Sequence, residues 1–135
     1  MPYRAADAVW FVEDAATQWS AKTGAHFVVV ADGERLVGAI SLLGIDPVAG
    51  RAELGYWVAP WARGRGVARA AVACLRDWAQ QVVGLRRIEL RIEDSNLPSR
   101  AVAAATGFCA AGEAVDWELK GSTRRLRTYI HGGRD

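Results

Sequence analysis

The chain has 135 residues, which is enough for one domain with a single hydrophobic core and too few for two. Hydrophobic residues make up 51% and charged residues 24% of the sequence, and this balance excludes a largely disordered chain. The net charge of +2 is too small to indicate nucleic-acid binding. No apolar run approaches the ~18 residues of a membrane-spanning helix. Neither a nucleic acid nor a membrane is therefore expected as a partner.

The cysteines and histidines do not predict a metal site. Cys74 and Cys109 lie in apolar surroundings without a CxxC motif, and we interpret both as buried and reduced. The sequence has only two histidines, and they lie far from each other and from the cysteines. The N-terminus lacks the basic and then apolar layout of a signal peptide. We therefore expect a cytoplasmic protein without a bound metal.

The N-terminal part predicts a helix followed by a β-hairpin. Apolar residues at helical spacing predict the helix over residues 7–21. A β-branched run predicts a strand over 26–31. Asp32-Gly33 is a turn signal, and it leads into an antiparallel strand over 35–43.

The middle of the chain predicts a strand–helix–strand unit. Strands are expected over 51–58 and 87–93, because apolar and polar residues alternate in both. Between them, a helix begins at residue 64 or 66, ends at residue 83 and is capped by Gly84. Its expected buried stripe is Val67, Ala71, Leu75, Trp78 and Val82. A strand–helix–strand order favours a right-handed crossover with parallel strands.

The C-terminal part predicts a short helix and two more strands. Asn96 is typical of a helix cap, and Pro98 suits a first helical turn that leads into a helix ending at residue 105. Strands over 108–114 and 126–131 are expected to pair antiparallel. The polar stretch 116–125 between them receives no assignment.

The loop Arg63-Gly64-Arg65-Gly66-Val67-Ala68 joins the strand at 51–58 to the long helix. Free loop N–H groups, the helix dipole and guanidinium charges all favour an anion at this position. The pattern therefore predicts a phosphate site, although an ordinary surface turn stays open as an alternative. The chain has no GxxxxGK[ST] run, so the loop is not a P-loop.

This loop resembles the signature [Q/R]-x-x-G-x-[G/A] of the GNAT superfamily of acyl-CoA-dependent N-acetyltransferases. The strand before it, Glu53 to Pro60, is similar to that family as well. So are Asn96-Leu97-Pro98-Ser99 and the helix end Ala104-Ala105-Thr106-Gly107-Phe108. The branch it most resembles is that of the ribosomal-protein N-terminal alanine acetyltransferases.

The resemblance covers roughly residues 5–131 and implies the fold. We expect an α/β protein with a mixed, mostly antiparallel sheet, a central parallel pair that splays apart, and helices on both faces. Residues 1–135 would form one acyl-CoA N-acyltransferase domain without the strand and helix with which the family usually begins. Either the chain is a shortened version, or a partner supplies the missing edge, which leaves a homodimer open.

The resemblance also implies how acetyl-CoA is held. The loop would bind its pyrophosphate, and the pantetheine arm would lie where strand 51–58 parts from strand 87–93. The backbone N–H of Val58 would donate to the developing oxyanion, and Asn96 would bind a pantetheine amide. The candidate CoA-binding residues are Trp57, Val58, Arg63, Gly64, Arg65, Gly66, Val67, Ala68, Asn96 and Ser99.

Three residues are candidates for the acid–base chemistry. Glu53 is the first choice for a general base that acts through water, and Glu89 is the second. Ser99 could hydrogen-bond the CoA sulfur, as an orienting or relaying group, because an alkanol hydroxyl is too weak an acid to donate alone. Two of them have a structural alternative: a solvated or salt-bridged strand residue for Glu53, and a first-turn helix residue for Ser99. Tyr56 is interpreted as core or pocket wall.

The expected function is transfer of an acetyl group from acetyl-CoA to a primary amine, either a protein N-terminus or a small molecule. No cysteine is placed for a covalent intermediate, so the amine would attack directly in a ternary complex. Two alternatives stay open, a CoA-binding regulatory module without turnover and a nucleotide or nucleic-acid binder. The sequence does not identify the acceptor.

Overall fold

The computed structural model describes residues 10–13, 24–31, 35–64 and 66–132. Within them the chain forms seven strands and two α-helices. The elements in chain order are β1 (Trp10–Glu13), β2 (Gly24–Ala31), β3 (Arg35–Asp46), β4 (Arg51–Val58), α1 (Val67–Trp78), β5 (Arg87–Glu93), α2 (Leu97–Ala105), β6 (Cys109–Leu119) and β7 (Ser122–Gly132). A 3₁₀ turn, Pro60–Ala62, precedes α1, and a π-helical segment, Ala79–Val83, extends it.

The described strands form one mixed sheet in the order β1-β2-β3-β4-β5-β7-β6. All neighbouring strands run antiparallel except β4 and β5, which are parallel. The predicted strand–helix–strand unit with parallel strands is therefore confirmed, because α1 connects β4 to β5. The predicted mixed sheet with one central parallel pair is confirmed as well.

The two parallel strands part after three residue pairs. Arg51 lies opposite Arg87, and the pairing ends where Glu53 lies opposite Glu89. Beyond that point β4 continues to pair with β3 as far as Val58, and β5 continues to pair with β7. The sheet therefore opens between β4 and β5, as the predicted splay requires.

One face of the sheet carries the hydrophobic core. Its largest fully buried side chains are Ile40, Leu42, Leu54, Ile88, Val29 and Val72. Both helices pack here, since Ala71 of α1 and Ala103 of α2 belong to the same cluster. The expectation of helices on both faces is therefore not met within the described ranges, where α1 and α2 share one face.

The predicted helix over residues 7–21 is wrong where the structure describes it. Trp10–Glu13 is a strand that pairs antiparallel with β2, from Trp10 opposite Val30 to Glu13 opposite Phe27. Its aromatic and β-branched residues favour a strand, and pairing with β2 outweighs a helical period. The other residues of the predicted helix lie outside the described ranges, as does the Asp32-Gly33 turn.

Helix α1 confirms most of the predicted stripe. Val67, Ala71 and Leu75 are buried, and Trp78 packs edge-on against Phe27 with ring centroids 5.4 Å apart. Val82, in contrast, is 67% exposed. A π-helical turn holds more residues than an α-turn and so rotates the later side chains out of the stripe. That rotation explains why the prediction for Val82 is wrong.

Strands β6 and β7 are longer than predicted. The unassigned stretch 116–125 completes their hairpin, with Asp116 opposite Arg125 and their side chains 2.9 Å apart. Lys120 and Gly121 both have positive φ angles, as a tight two-residue turn requires. Cross-strand charge pairs thus support strands without an apolar pattern. None of the described helices is long and apolar enough to cross a membrane.

Candidate functional site

A cleft of about 750 Å³ lies between the end of β4, the Arg/Gly loop and the N-termini of both helices. The predicted CoA-binding residues that line it are Trp57, Val58, Arg63, Gly64, Gly66, Val67, Ala68, Asn96 and Ser99. Arg65 lies outside the described ranges. The sequence did not single out five further lining residues for CoA binding: Tyr56, Ala62, Arg69, Pro98 and Val102. Segments distant in sequence thus meet at one site.

The loop at one end of the cleft is shaped to hold an anion. Gly64 and Gly66 both have φ +79°, a conformation that favours glycine, and a Cβ at either would meet no atom within 4 Å. The first α1 backbone bond runs from the N–H of Ala70 to the carbonyl of Gly66, at 3.0 Å. The N–H groups before it have no partner inside the helix, and the first turn has no acidic residue. These groups and the helix dipole favour a negative charge in the cleft.

The edge of β4 presents backbone groups to the opening in the sheet. The N–H of Ala59 donates to the carbonyl of Val37 at 2.7 Å. In an antiparallel pair, the backbone N–H and C=O groups of successive residues point alternately to the two sides of the strand. Those of Trp57 and Ala59 therefore point toward β3, whereas those of Tyr56 and Val58 point toward the side from which β5 has parted. The Nε of Arg63 donates to the Val58 carbonyl at 3.2 Å. The N–H of Val58 is thus directed toward the opening, as expected for an oxyanion donor.

Asn96 and Ser99 occupy the opposite wall at the start of α2. The side-chain oxygen of Asn96 accepts a hydrogen bond from the backbone N–H of Ser99 at 3.1 Å, so Asn96 caps the helix as predicted. The hydroxyl of Ser99 lies 2.9 Å from the hydroxyl of Tyr56 on β4. Burial raises the pKa of Tyr56, and the bond to Ser99 acts in the opposite direction. Tyr56 is therefore a neutral phenol at neutral pH.

The two candidate bases do not line the cleft. Glu53 and Glu89 form the last parallel pair before the strands part. Along β4, Glu53 alternates with the buried Leu54 and so lies on the sheet face opposite the helices. Their carboxylates are therefore at the inner end of the opening, across the sheet from Ser99.

Each candidate base has an arginine neighbour. Glu89 accepts from the Nε of Arg87 at 3.1 Å, and its side chain is only 14% exposed. Glu53 has a looser contact, 3.7 Å from the Nη1 of Arg91, and both of these side chains are 35% exposed. An exposed pair of this kind contributes about 0–1 kcal/mol, so an incoming ammonium group can replace it. Glu53 is the more available carboxylate of the two.

Neither cysteine belongs to the cleft. Cys74 lies on α1 and is buried, and burial followed by the charge of Asp77 raises the pKa of its thiol to about 11. Cys109, which the sequence predicted to be buried, is exposed at the start of β6. Strand alternation at the sheet edge explains this difference, because the neighbouring Phe108 takes the buried position. The described residues contain no group of three or more His, Cys, Asp or Glu side chains suited to a metal ion.

A known family accounts for this combination of splayed strands, Arg/Gly loop and helix N-terminus. The family model described as "Acetyltransferase (GNAT) domain" matches residues 1–109. The chain belongs to the GNAT acetyltransferase family. This confirms the family that the loop signature predicted.

Two curated relatives are named for different acceptors. YdaF of Bacillus subtilis (strain 168), named provisionally as a ribosomal N-acetyltransferase, is 34% identical over 105 residues, which are 78% of this chain and 57% of YdaF. Spermidine N(1)-acetyltransferase of Escherichia coli (strain K12) is 31% identical over 90 residues, 67% of this chain and 48% of that protein. The chain spans about half the length of these relatives.

Solved structures described as acetyltransferases share the fold. One described as a probable acetyltransferase has a TM-score of 0.79 and 32% identity, and the match covers 87% of this chain and 66% of that one. The dodecameric spermidine N-acetyltransferase of Vibrio cholerae has a TM-score of 0.77 over 87% of this chain and 69% of its own. Because the sequence identity is only 21%, this similarity shows that the two proteins share a fold and nothing more.

Proposed function

We propose that this GNAT protein transfers an acetyl group from acetyl-CoA to a primary amine. The observation that carries the proposal is the continuity of the site. An anion-binding helix N-terminus, an opening between β4 and β5, and a carboxylate at the inner end of that opening follow one another. A long, narrow cosubstrate with a charged pyrophosphate and a reactive thioester fits this sequence of features.

The loop would bind the pyrophosphate of acetyl-CoA. Gly64 and Gly66 leave space for phosphate oxygens to approach the backbone N–H groups. Arg69 in the first turn of α1 adds a positive charge to the same wall. The amide of Asn96 keeps its N–H₂ group for a pantetheine carbonyl while its oxygen caps α2.

The pantetheine arm would then lie along the edge of β4. The backbone groups of Tyr56 and Val58 that point away from β3 do not pair with β5, because β5 has parted from β4. These groups would form hydrogen bonds with the pantetheine arm instead. The N–H of Val58 would donate to the thioester oxygen as that oxygen becomes negative. A fixed donor of this kind contributes about 3–4 kcal/mol to transition-state stabilisation.

The two sheet faces would separate the two halves of the reaction. The amine would approach from the face of Glu53, which would accept its proton through a water molecule. The new C–N bond forms, the C–S bond breaks, and the electron pair goes to sulfur on the face of Ser99. Attack is direct, because neither Cys74 nor Cys109 lines the cleft.

The acceptor we propose is a primary amine, either of a protein N-terminus or of a small molecule. The relatives support the class, since their names include ribosomal-protein-serine and spermidine acetyltransferases. The side chain of Trp57, 52% exposed on the face of Glu53, would form part of the acceptor wall. The homodimer and the cytoplasmic location stay predictions.

A thiol-release assay with acetyl-CoA and a panel of amines and N-terminal peptides tests the proposal. We expect release of CoA that depends on at least one acceptor, together with calorimetric binding of acetyl-CoA. Binding without release for any amine would instead favour a regulatory CoA-binding module. Absence of binding at millimolar acetyl-CoA would contradict both functions and the assignment of the cleft.

A further inference from the structure

The hydroxyl groups of Tyr56 and Ser99 form a pair that spans the cleft. They lie 2.9 Å apart although 43 residues separate them in the chain, and both residues line the cleft. The contact joins the C-terminal part of β4, beyond the point where β5 parts from it, to the first turn of α2. It lies on the sheet face away from Glu53, where the proposed function places the leaving sulfur.

The acidities of the two groups decide the direction of this hydrogen bond. A phenol is a much stronger acid than an alkanol, so the favoured arrangement has Tyr56 donating and Ser99 accepting. Burial keeps the Tyr56 phenol neutral, so its proton stays in place. The Ser99 Oγ then has an occupied lone pair on the side of Tyr56, and its own O–H must point elsewhere.

We propose that Tyr56 is a positioning residue that directs the Ser99 O–H toward the sulfur of CoA. This inference rests on the proposed function, because it requires the CoA thiol to lie in this cleft. Ser99 cannot turn freely, since its backbone N–H is bound by Asn96 and its oxygen by Tyr56. Its O–H stabilises the sulfur as the C–S electron pair moves to it. No proton leaves Tyr56 in this step, and the thiolate departs or takes a proton from water.

The inference is testable without turnover, by calorimetry at pH 9. At this pH part of the CoA thiol is present as thiolate, to which hydrogen bonds are stronger. The probes are CoA and desulfo-CoA, the analogue without the sulfur. The wild type should bind CoA about tenfold more tightly than desulfo-CoA. The variants Tyr56→Phe and Ser99→Ala should both bind the two probes equally.

The control is Tyr129→Phe, which removes the hydroxyl of a buried tyrosine outside the cleft. It should keep the wild-type preference for CoA. A preference retained in Tyr56→Phe would overturn the positioning role. Equal binding of the two probes by the wild type would overturn it as well, because Ser99 would then not contact the sulfur.

Where an acceptor supports turnover, a double-mutant cycle adds a second readout. Tyr56→Phe should lower kcat several-fold without weakening acetyl-CoA binding, and Ser99→Ala should lower it at least as much. The double variant should be no slower than Ser99→Ala, because Tyr56 acts only through Ser99. Additive losses would refute the pairing. If the wild type releases no thiol with any amine, the proposed function fails, whereas the binding comparison still decides the role of Tyr56.

Discussion

Replacing Gly66 with glutamate is expected to abolish acetyl-CoA binding. Gly66 precedes α1 with φ +79°, and a side chain there would meet no protein atom within 4 Å. Because Gly66 lines the cleft, a side chain at this position would enter the space that we assign to the pyrophosphate. The folded protein would accept it at the cost of a left-handed conformation, about 1–2 kcal/mol.

The loss of affinity follows from the charge. A carboxylate 4 Å from one phosphate charge costs about 4 kcal/mol at an effective dielectric constant near 20. Because 1.4 kcal/mol corresponds to a factor of ten, the expected loss of affinity is roughly a thousandfold. Isothermal titration calorimetry with acetyl-CoA measures it directly.

Gly84→Glu is the matched control. Gly84 caps the far end of the same helical segment, with φ +88° and open space around it, and lies outside the cleft. Both variants should lower the melting temperature by a similar amount, but Gly84→Glu should bind acetyl-CoA with the affinity of the wild type. If Gly66→Glu also bound it normally, the pyrophosphate would not lie at this loop.

Three further predictions concern other residues. Glu53→Gln should lower kcat at least tenfold and leave the affinity for acetyl-CoA unchanged, whereas Glu89→Gln should change kcat only slightly. If Glu53→Gln kept the wild-type rate across pH 6–9, Glu53 would be excluded as the base. Asn96→Ala should lower the free energy of unfolding by about 1 kcal/mol through loss of the α2 cap, and an unchanged urea midpoint would contradict this. Burial, followed by the charge of Arg76, lowers the pKa of His131, whose Nδ1 is buried without a hydrogen-bond partner among the described residues. The unfolded chain therefore binds the proton more readily, so the free energy of unfolding should fall as pH drops below about 6.5. His131→Gln should make that fall shallower. If the melting temperatures of wild type and variant changed in parallel from pH 5 to 8, this contribution of His131 would be excluded.

The sequence predicted the parallel unit well because its signals are local. Alternation defines β4 and β5, and Gly66 and Gly84 occupy the left-handed positions at the two ends of the intervening helical segment. The loop signature lies between them, so the anion site follows from residues adjacent in the chain. These features need no knowledge of how distant segments pack.

The rest depends on tertiary contacts that the sequence does not encode locally. Trp10–Glu13 becomes a strand because β2 lies beside it. The sequence indicates only core or pocket wall for Tyr56. Its contact with Ser99 depends on the packing of α2 against α1 and β5, which brings the first turn of α2 beside the end of β4. The position of Glu53 across the sheet from Ser99 requires both the strand alternation and the parting of β4 from β5.

The measurement that tests the central claim most directly is the initial rate of CoA release with both acetyl-CoA and the best acceptor varied. Direct attack in a ternary complex predicts acceptor-dependent release, intersecting double-reciprocal lines, and an acetylated amine that mass spectrometry detects. Parallel lines would indicate a covalent acetyl-enzyme and contradict direct attack. No release with any amine, in protein that binds acetyl-CoA, would contradict acetyl transfer itself.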